Sequence, residues 1–426
     1  MDIQAGSRVA VIGSGISGLA AAWLLAQRHQ VTLFESQSRF GGHTNTVDVT
    51  LQGRTHAVDT GFLVHNDLTY PNLVALLRHL AVGVIDSEMT FSFSLEQPDL
   101  EWAGSNLATV FAQPGNLLRP AFLGMLRDIA RMNREAPRYL SLASPQQTLG
   151  QLLDAHGYGQ AMRDWYLLPM AAAIWSAPVR EILDFPAHTF LSFCLNHRLM
   201  QVNGRPVWKT VRGGARSYVD KLLAGIQQTR SSCAVSAVLP QADGVRIVSV
   251  AGSEHFDAVV LACHAPTSHR LLAADAPARA VLQAFRCAPN RAVLHTDPAL
   301  LPRRRKVWSA WNYLAAPAQG ADRPVAVSYL INALQPLPDE TPVVVTLNPH
   351  REPADAHFIA AFDYQHPILD AAAVAAQQAL PAVQGQGGVW LCGAWTGYGF
   401  HEDGLASALR VANALGVTAP WQQELR

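Results

Sequence analysis

The sequence has few lysines, no excess of either charge and no long apolar run. Its basic residues are almost all arginine, because lysine occurs only at positions 209, 221 and 306. The 32 basic residues equal the 32 acidic residues in number, and the sequence pI is about 7.3. A neutral chain of this kind gives no reason to expect a nucleic-acid partner or a strong electrostatic attraction to membranes.

Cysteine is also scarce. The five thiols have neither CxxC nor metal-ligand spacing, at positions 194, 233, 263, 287 and 392. Scattered cysteines are typical of reduced, buried thiols in a cytosolic protein, and they predict no metal site. No run reaches about 18 apolar residues without a charge, and the polar N-terminus does not resemble a signal peptide. We therefore expect a cytoplasmic protein, at most peripheral at the inner face of the membrane.

A complete nucleotide-binding pattern opens the chain. Residues 9–12 form a short apolar run, and Gly13, Gly15 and Gly18 follow in GxGxxG spacing at the head of an Ala/Leu-rich helix. The first glycine permits a tight turn, the second leaves room for a pyrophosphate, and the third lets the helix pack closely on the strand. The helix N-terminus would then direct its free N–H groups and its positive dipole end at the phosphates.

An acidic residue completes this pattern. A second apolar run over residues 31–34 ends in Glu35, twenty residues beyond Gly15. A carboxylate at that point accepts hydrogen bonds from both ribose hydroxyls, and it would repel the 2′-phosphate of NADP. GxGxxG alone is weak evidence, because many glycine-rich turns only connect a strand to a helix. Here the strand, the helix and the acid all stand at the expected places.

The residues after Glu35 carry a family resemblance. Arg39, Gly41 and Gly42 follow it in the pattern xxxRxGG, and in this the sequence resembles the superfamily of FAD-dependent amine oxidases and phytoene desaturases. The resemblance implies FAD in place of NAD, with the extra glycine pair running beside the pyrophosphate. No cysteine stands where monoamine oxidases attach FAD covalently, so the implied cofactor is non-covalent FAD.

The same resemblance implies a fold and a division into domains. We expect an α/β protein with a Rossmann-like FAD-binding domain of the glutathione-reductase type and an interleaved α+β substrate domain, as in amine oxidases. The 426 residues, 49% of them hydrophobic, are enough for two such domains with buried cores. The expected FAD-binding domain comprises residues 1–70, 205–285 and 385–420, and the substrate domain comprises 71–204 and 286–384.

The C-terminal region has the form of the superfamily's closing motif, a strand, a glycine-rich turn and a new helix. Gly393, Asp403 and Gly404 fit this motif, whereas Ala394 and Trp395 replace its usual acid. A helix beginning near Gly404 would aim its N-terminus at the flavin N1 and C2 carbonyl and stabilise the reduced, anionic ring. With the earlier motifs, the resemblance implies cofactor contacts at Gly13, Ser14, Gly15, Ser17, Gly18, Glu35, Arg39, Gly41, Gly42, His43, Thr44, Gly61, Phe62, Val235, Gly393, Ala394, Asp403, Gly404 and Leu405.

One departure from the superfamily bears on the chemistry. Amine oxidases place an aromatic residue two positions before this acid–glycine pair to orient amines over the flavin, and here that position holds His401. The departure argues against a simple amine substrate. We predict that His401 lies over the flavin as a base or an orienting group, with Glu402 and Tyr398 behind it. The alternatives are that His401 only hydrogen-bonds the loop and that Glu402 only caps the helix near Gly404.

A narrower resemblance is carried by segments spread along the chain, at residues 173–176, 193–197, 205–208, 293–297, 302–305, 308–313 and 399–404. In them the sequence resembles the predicted NAD/FAD-binding proteins that accompany cyclopropane-fatty-acid synthases, and the similar N-terminal domain of plant cyclopropane synthases. This resemblance implies a lipid or fatty acyl substrate, and a cyclopropane-synthase-like methyltransferase as a partner.

Several side chains have two interpretations. Relatives often keep a lysine near flavin N5, yet for Lys209 we favour a surface charge. His264 follows a strand, where a ligand could reach it. The basic run 303–306 would suit a phosphate or a lipid head group, although such runs usually face water. An apolar substrate channel would draw on some of Met170, Ile174, Trp175, Phe190 and Phe193.

The sequence therefore predicts an FAD-dependent oxidoreductase that oxidises or desaturates a fatty acyl group by hydride transfer to flavin N5. Because only one dinucleotide fingerprint is present, we expect oxygen or a quinone to accept the electrons. Two other hypotheses stay open. One is a flavin amine or amino-acid oxidase with a polar pocket, and the other is a non-catalytic flavoprotein that presents lipid to a methyltransferase.

Overall fold

The structure is a computed structural model, and it describes residues 3–144, 146–176, 178–201, 204–315, 326–337 and 341–423. Strands of the described residues are β1 (Arg8–Ile12), β2 (Gln30–Phe34), β3 (Thr46–Leu51), β4 (Arg54–Asp59), β5 (His65–Asn66), β6 (Val84–Ser87), β7 (Phe91–Leu95), β8 (Leu100–Ala103), β9 (Trp208–Val211), β10 (Gln228–Arg230), β11 (Val235–Gln241), β12 (Gly244–Ser249), β13 (Gly252–Phe256), β14 (Ala258–Leu261), β15 (Arg286–His295), β16 (Trp311–Ala315), β17 (Ala326–Leu330), β18 (Val344–Leu347), β19 (Phe358–Ile368) and β20 (Val389–Leu391).

Helices of the same residues are α1 (Ile16–Leu25), α2 (Pro71–His79), α3 (Leu107–Val110), α4 (Pro120–Leu142), α5 (Leu149–Ala155), α6 (Gln160–Met162), α7 (Leu168–Trp175), α8 (Val179–Leu183), α9 (Ala187–Asn196), α10 (Arg216–Leu223), α11 (Ala265–Leu271), α12 (Pro277–Leu282), α13 (Ile331–Leu334), α14 (Ala371–Val383), α15 (His401–Ala414) and α16 (Pro420–Gln423). A π-helical segment, Arg163–Leu167, joins α6 to α7. None of the helices in the described residues combines the length and the apolar character needed to cross a membrane.

Five parallel strands form the sheet that carries the nucleotide-binding pattern, in the order β10, β2, β1, β14 and β20. Almost every residue of β1, β2 and β14 is buried, as expected for the continuous apolar runs of a parallel sheet. The strands come from three separated stretches, 8–34, 228–261 and 389–391. Since β1 ends at the glycine turn, the turn lies at the carboxyl edge of the sheet, where such folds bind nucleotides.

The first and last long helices of this region pack on each other. A Cβ on Gly18 would lie 1.8 Å from the Gly13 carbonyl oxygen, and one on Gly404 would lie 2.8 Å from Ser17 Oγ, so both positions require glycine.

The closing helix α15 begins at His401 and not near Gly404, which corrects the expected start. The reason is that the Asp403 carboxylate accepts a hydrogen bond from the Phe400 N–H and closes the first turn.

A second, seven-stranded sheet has the order β19, β15, β18, β17, β16, β7 and β8. Its pairs are antiparallel except for β16 with β7. Helices α4 to α9 share one apolar core with this sheet. The long helix α4 buries Phe122, Met125 and Met132 in that core, while its arginines lie on the opposite face.

Strands β3 and β4 form an antiparallel hairpin, with Thr46 paired to Asp59. Asp59 at its end is buried and accepts hydrogen bonds from the Ala215 N–H and the Gln335 amide. Burial raises the pKa of Asp59 to about 6. The domain boundaries given above stay a prediction, since the strand order does not by itself define them.

Candidate functional site

One cavity of about 790 Å³ runs from the glycine turn to the apolar interior beside the seven-stranded sheet. We call the part lined by residues 12–17, 34–37 and 42–43 the nucleotide end. We call the part lined by Trp102, Tyr166, Met170, Ile174, Trp175 and Phe193 the apolar end. The volume lies within the usual range of ligand pockets.

The glycine turn leaves room for a phosphate group. A Cβ built on Gly15 would meet no atom within 4 Å, although Gly15 lines the cavity. Helix α1 has no side-chain cap and no acidic residue in its first turn. Its free N–H groups and positive dipole end therefore face the cavity and suit the pyrophosphate of a dinucleotide.

Glu35 lies at the end of β2, beside the glycine turn. One carboxylate oxygen accepts hydrogen bonds from the Ser14 N–H (3.0 Å) and the Ser14 hydroxyl (2.6 Å). The other accepts one from the Gln37 N–H at 2.8 Å. Because these bonds fix the carboxylate in the cavity lining, it fits the predicted role at a ribose.

The second glycine pair packs directly against the first turn. A Cβ on Gly42 would lie 2.9 Å from Gly15 Cα, and one on Gly41 would lie 2.4 Å from the Thr44 carbonyl oxygen. Arg39 Nη1 donates to the Gly42 carbonyl at 2.8 Å. Only glycine permits this approach, and the residues present therefore fit an FAD pyrophosphate at this place.

Three imidazoles meet where the nucleotide end turns inward. The ring of His43 stacks on Tyr364 with centroids 4.9 Å apart, and it lies 5.2 Å from His366 and 6.0 Å from His264. Burial is the main cause that lowers the pKa of all three histidines, to about 4 for His366. The cluster is therefore neutral at pH 7, and His43 Nε2 has no hydrogen-bond partner among the described residues.

His401 stacks on Phe62, with ring centroids 3.8 Å apart and planes 12° from parallel. Its Nε2 lies 2.7 Å from the Tyr218 hydroxyl and 3.1 Å from the Thr44 hydroxyl. Burial lowers the pKa of His401 to about 3. The stacking and the two hydroxyl partners fit the orienting role and the hydrogen-bonding alternative, and the lowered pKa does not favour the role of base.

Glu402 lies away from the predicted position. Its carboxylate accepts hydrogen bonds from the Asn72 N–H, the Asn72 side-chain amide and the Leu73 N–H, and it does not line the cavity. It thus caps the N-terminus of α2 and not the helix near Gly404. Tyr398 does line the cavity, with its ring centroid 5.7 Å from that of Phe193. Burial raises the pKa of Tyr398.

The other expected cofactor residues divide into two groups. The first group lines the cavity and comprises Gly13, Ser17, Gly61, Val235, Gly393 and Ala394. The second group lies behind the lining, where its members hold the helices and the loop in place, and comprises Gly18, Gly41, Thr44, Asp403, Gly404 and Leu405.

The apolar end includes four of the five predicted channel residues. Met170, Ile174, Trp175 and Phe193 line the cavity, whereas Phe190 is fully buried in the core, so the channel draws on some of the five and not on all of them. Among the described residues that line the cavity, only Glu35 and Asp363 are acidic, and Asp363 is exposed. In this cavity lining, the buried indole N–H groups of Trp102, Trp175 and Trp311 have no hydrogen-bond partner among the described residues.

Two basic features have partners on the protein itself. Lys209 Nζ lies 2.5 Å from Asp67 and is absent from the cavity lining, which agrees with a surface charge. Arg303 and Arg304 form ion pairs with Asp99 and Glu101. These pairs leave the run 303–306 less free to bind a phosphate or head group than the sequence suggested.

Sequence reasoning missed Tyr218 as the partner of His401, and it missed His366 and Tyr364 beside His43. Tyr218 lies on α10, and the other two lie on β19. No local motif surrounds these residues, because their function depends on contacts between distant segments. His264 was noticed only because it follows a buried strand.

The sequence of the chain is similar to those of known proteins. Residues 11–80 match the model of the NAD(P)-binding Rossmann-like domain family. The chain is 26% identical over 330 residues to the carotenoid phi-ring synthase of Streptomyces griseus, a match that covers 69% of this chain and 62% of that protein. The chain thus spans less than two thirds of that relative's length.

Solved structures of enzymes share the fold. A CLA-producing fatty acid isomerase from P. acnes superposes with a TM-score of 0.70 at 14% identity, covering 97% of this chain and 100% of that one. Cyclohexylamine oxidase from Brevibacterium oxydans gives 0.65 at 16% identity, covering 99% and 100%. The chain therefore has the predicted α/β fold, which these solved structures share, with a Rossmann-like nucleotide-binding segment at its start.

Proposed function

We propose that the protein is an FAD-dependent oxidoreductase that oxidises or desaturates a fatty acyl or lipid substrate. The observation that carries this proposal is that one cavity has a dinucleotide turn at one end and an apolar wall at the other. A cofactor and an apolar chain would thus lie in one continuous space, as an electron transfer between them requires.

The nucleotide end would hold FAD through groups already described. The N-terminus of α1 would bind the pyrophosphate, Glu35 the ribose, and Gly42 would allow the close approach of the backbone. When bound, FAD supplies the capacity to accept two electrons, and oxygen or a quinone is the final acceptor we propose. The orphaned His43 Nε2 is a further group that a bound cofactor would satisfy.

The apolar end would bind the acyl chain. Its walls come from α7, α9 and β8, and its aromatic and aliphatic side chains would exclude water from the reacting carbon atoms. The names of two similar proteins, a fatty acid isomerase and a carotenoid synthase, support an apolar substrate. We therefore favour an acyl chain over a small polar molecule.

His401, held by Tyr218 and Thr44, would orient the substrate or the cofactor at the junction of the two ends. Tyr398 stands on the substrate side, beside Phe193. Since burial keeps His401 neutral, its ring can donate or accept a hydrogen bond without carrying a charge into the apolar space.

A flavin amine oxidase is the second candidate, because cyclohexylamine oxidase shares the fold over nearly the full length of this chain. The scarcity of acidic residues in the cavity lining argues against an amine substrate. An alkylammonium ion at the apolar end would lack a carboxylate partner, because the acidic residues of the described lining are Glu35, beside the glycine turn, and the exposed Asp363. A role as the lipid-presenting partner of a cyclopropane-synthase-like methyltransferase is a third, non-catalytic alternative.

Product analysis tests the proposal. The FAD-loaded protein is incubated in air with unsaturated and mid-chain-methylated phospholipids, and in parallel with a panel of amines, and the products are examined by mass spectrometry. We expect acyl products that have lost two hydrogen atoms. Conversion of amines without any change in the lipids would overturn the proposal in favour of the second candidate, and no conversion at all would favour the third.

A further inference from the structure

The apolar end reaches the surface between two loops. On one side, Gly104 and Ser105 follow β8. On the other side, Arg198 and Arg205 follow α9. All four residues are exposed and line the cavity. Between the two sides, the rings of Trp102 and Tyr166 lie next to each other. A Cβ on Gly104 would lie 3.8 Å from the ring of Trp102, which is 6.1 Å from that of Tyr166. Burial raises the pKa of the Tyr166 hydroxyl, and the positive charge of Arg205 opposes that rise.

Both arginines hydrogen-bond to main-chain carbonyl groups of described residues. Arg198 Nη1 donates to the Gly204 carbonyl at 2.9 Å, and Arg205 Nε donates to the Gln201 carbonyl at 2.7 Å. Each guanidinium is therefore tied to the backbone close to the other arginine. The two positive charges are thereby held at the same rim of the cavity.

Neither arginine forms an ion pair with an acidic side chain of the described residues, unlike Arg216, Arg230 and Arg304, which each pair with a carboxylate. A guanidinium has five N–H donors in a planar fork that matches carboxylate and phosphate oxygens. Most of those donors stay available on Arg198 and Arg205, at the mouth of an otherwise apolar cavity.

An exposed apolar side chain follows the opposite rim, which Gly104 and Ser105 line. Leu107 begins α3, two residues after Ser105, and its side chain is 77% exposed. An opening with paired cations on one side and an exposed apolar side chain next to the other suits an amphiphile that has an anionic head and a hydrocarbon chain.

We propose that Arg198 and Arg205 bind the anionic head group of the acyl substrate, a carboxylate or a phosphate, while its chain lies in the apolar end. This inference rests on the proposed function and specifies its substrate class. The head stays at the solvent edge, where two charge-assisted hydrogen-bonding groups meet it. The chain then extends inward past Trp102 towards the junction with the nucleotide end.

Binding of three ligands with one chain length and different heads tests the inference. Dodecanoate, dodecyl phosphate and 1-dodecanol are titrated into the FAD-loaded protein, and binding is followed by quenching of tryptophan fluorescence. Wild type should bind at least one of the two anions about tenfold or more tightly than the alcohol, which is the usual gain from a charge-assisted pair. The anion that binds more tightly identifies the head group as carboxylate or phosphate.

The variants R198Q and R205Q, singly and together, should lose this preference while their affinity for 1-dodecanol stays unchanged. R54Q is the matched control, because Arg54 is exposed on the β3–β4 hairpin and absent from the cavity lining. It should retain the wild-type preference. Unchanged binding of the alcohol and of FAD also shows that a variant is folded.

The outcomes separate two kinds of failure. If wild type binds all three ligands equally, or if the double variant keeps the preference for an anion, the head-group site is wrong while the acyl cavity stands. If wild type binds none of the three, the proposed acyl substrate fails and the head-group site fails with it.

Discussion

The two ends of the cavity are built in different ways. The nucleotide end is made of glycines and backbone N–H groups from two short consecutive motifs, and its shape depends on the absence of single Cβ atoms. The apolar end is made of side chains from β8, the π-helical segment Arg163–Leu167, α7 and α9, which do not form one consecutive motif. The first should therefore tolerate almost no added atom, whereas the second should tolerate apolar replacements and fail when it receives a charge.

The largest effect should come from Gly15→Ala. The new methyl group would have space in the fold, but it would occupy the space we assign to the pyrophosphate. We expect FAD affinity to fall about a hundredfold while the apo protein keeps its melting temperature. Equilibrium dialysis against FAD and thermal unfolding of the apo protein measure the two quantities.

Gly124→Ala is the matched control, because Gly124 lies in α4 and an added Cβ there also meets nothing within 4 Å. It should leave FAD binding unchanged and raise stability by up to about 1 kcal/mol. Wild-type FAD affinity in Gly15→Ala would show that the two ends do not differ in the way described.

A charge at the apolar end gives the complementary effect. Ile174→Asp would place a carboxylate in the wall that we assign to the acyl chain, where it has no cationic partner within the apolar lining named above. We expect affinity for 1-dodecanol to fall about tenfold or more, with FAD affinity unchanged. Leu123→Asp, at a side chain that is 43% exposed on α4, is the control and should bind both ligands normally. If Ile174→Asp lost affinity for FAD and for 1-dodecanol equally, the two ends of the cavity would not be separable.

Buried histidines near the junction predict how stability depends on pH. His65 is 1% exposed, and burial lowers its pKa from 6.5 to about 4. Since the folded state favours the neutral ring, this contribution to the free energy of unfolding is complete above pH 6.5 and is lost as the pH falls towards 4. Between pH 6.5 and about pH 5.5 the loss should be about 1 kcal/mol.

His65→Gln should remove that part of the pH dependence. Urea unfolding of wild type and variant across this pH range measures it, and Asp59 and Asp403 are common to both proteins. Their raised pKa values, each about 6, act in the opposite direction, because they favour the folded state as the pH falls. An identical pH profile in the variant would mean that His65 titrates normally.

The smallest effect should follow Lys209→Met. The lysine pairs with the exposed Asp67 outside the cavity lining, so its loss should cost less than about 1 kcal/mol. The visible spectrum of the bound flavin should not change. A shifted spectrum would put this lysine next to the cofactor and would extend the nucleotide end beyond the residues described.

The difference between the two ends of the cavity also explains which site residues could be predicted from the sequence. Gly13, Gly15, Glu35 and Gly42 were identified because the spacing of a strand, a turn and a helix fixes where they lie. Glu402 was misplaced because the residue that it caps, Asn72, belongs to a helix 330 positions away in the sequence. A local motif cannot reveal such a contact.

The apolar end shows the same limit. Phe190 and Phe193 are one helical turn apart on α9, yet only Phe193 lines the cavity. Helical spacing gives the face of a helix but not which part of that face meets the core and which part meets a ligand. The pairing of Tyr218 with His401 needed the fold for the same reason.

The central claim is that one cavity brings an acyl chain to a flavin. An anaerobic titration tests it most directly: the yellow FAD-loaded protein is mixed with acyl lipids, with an amine panel alongside, and the main visible band of the flavin is followed. The account predicts that the lipids bleach the band and that the amines leave it unchanged. Bleaching by amines alone would contradict it.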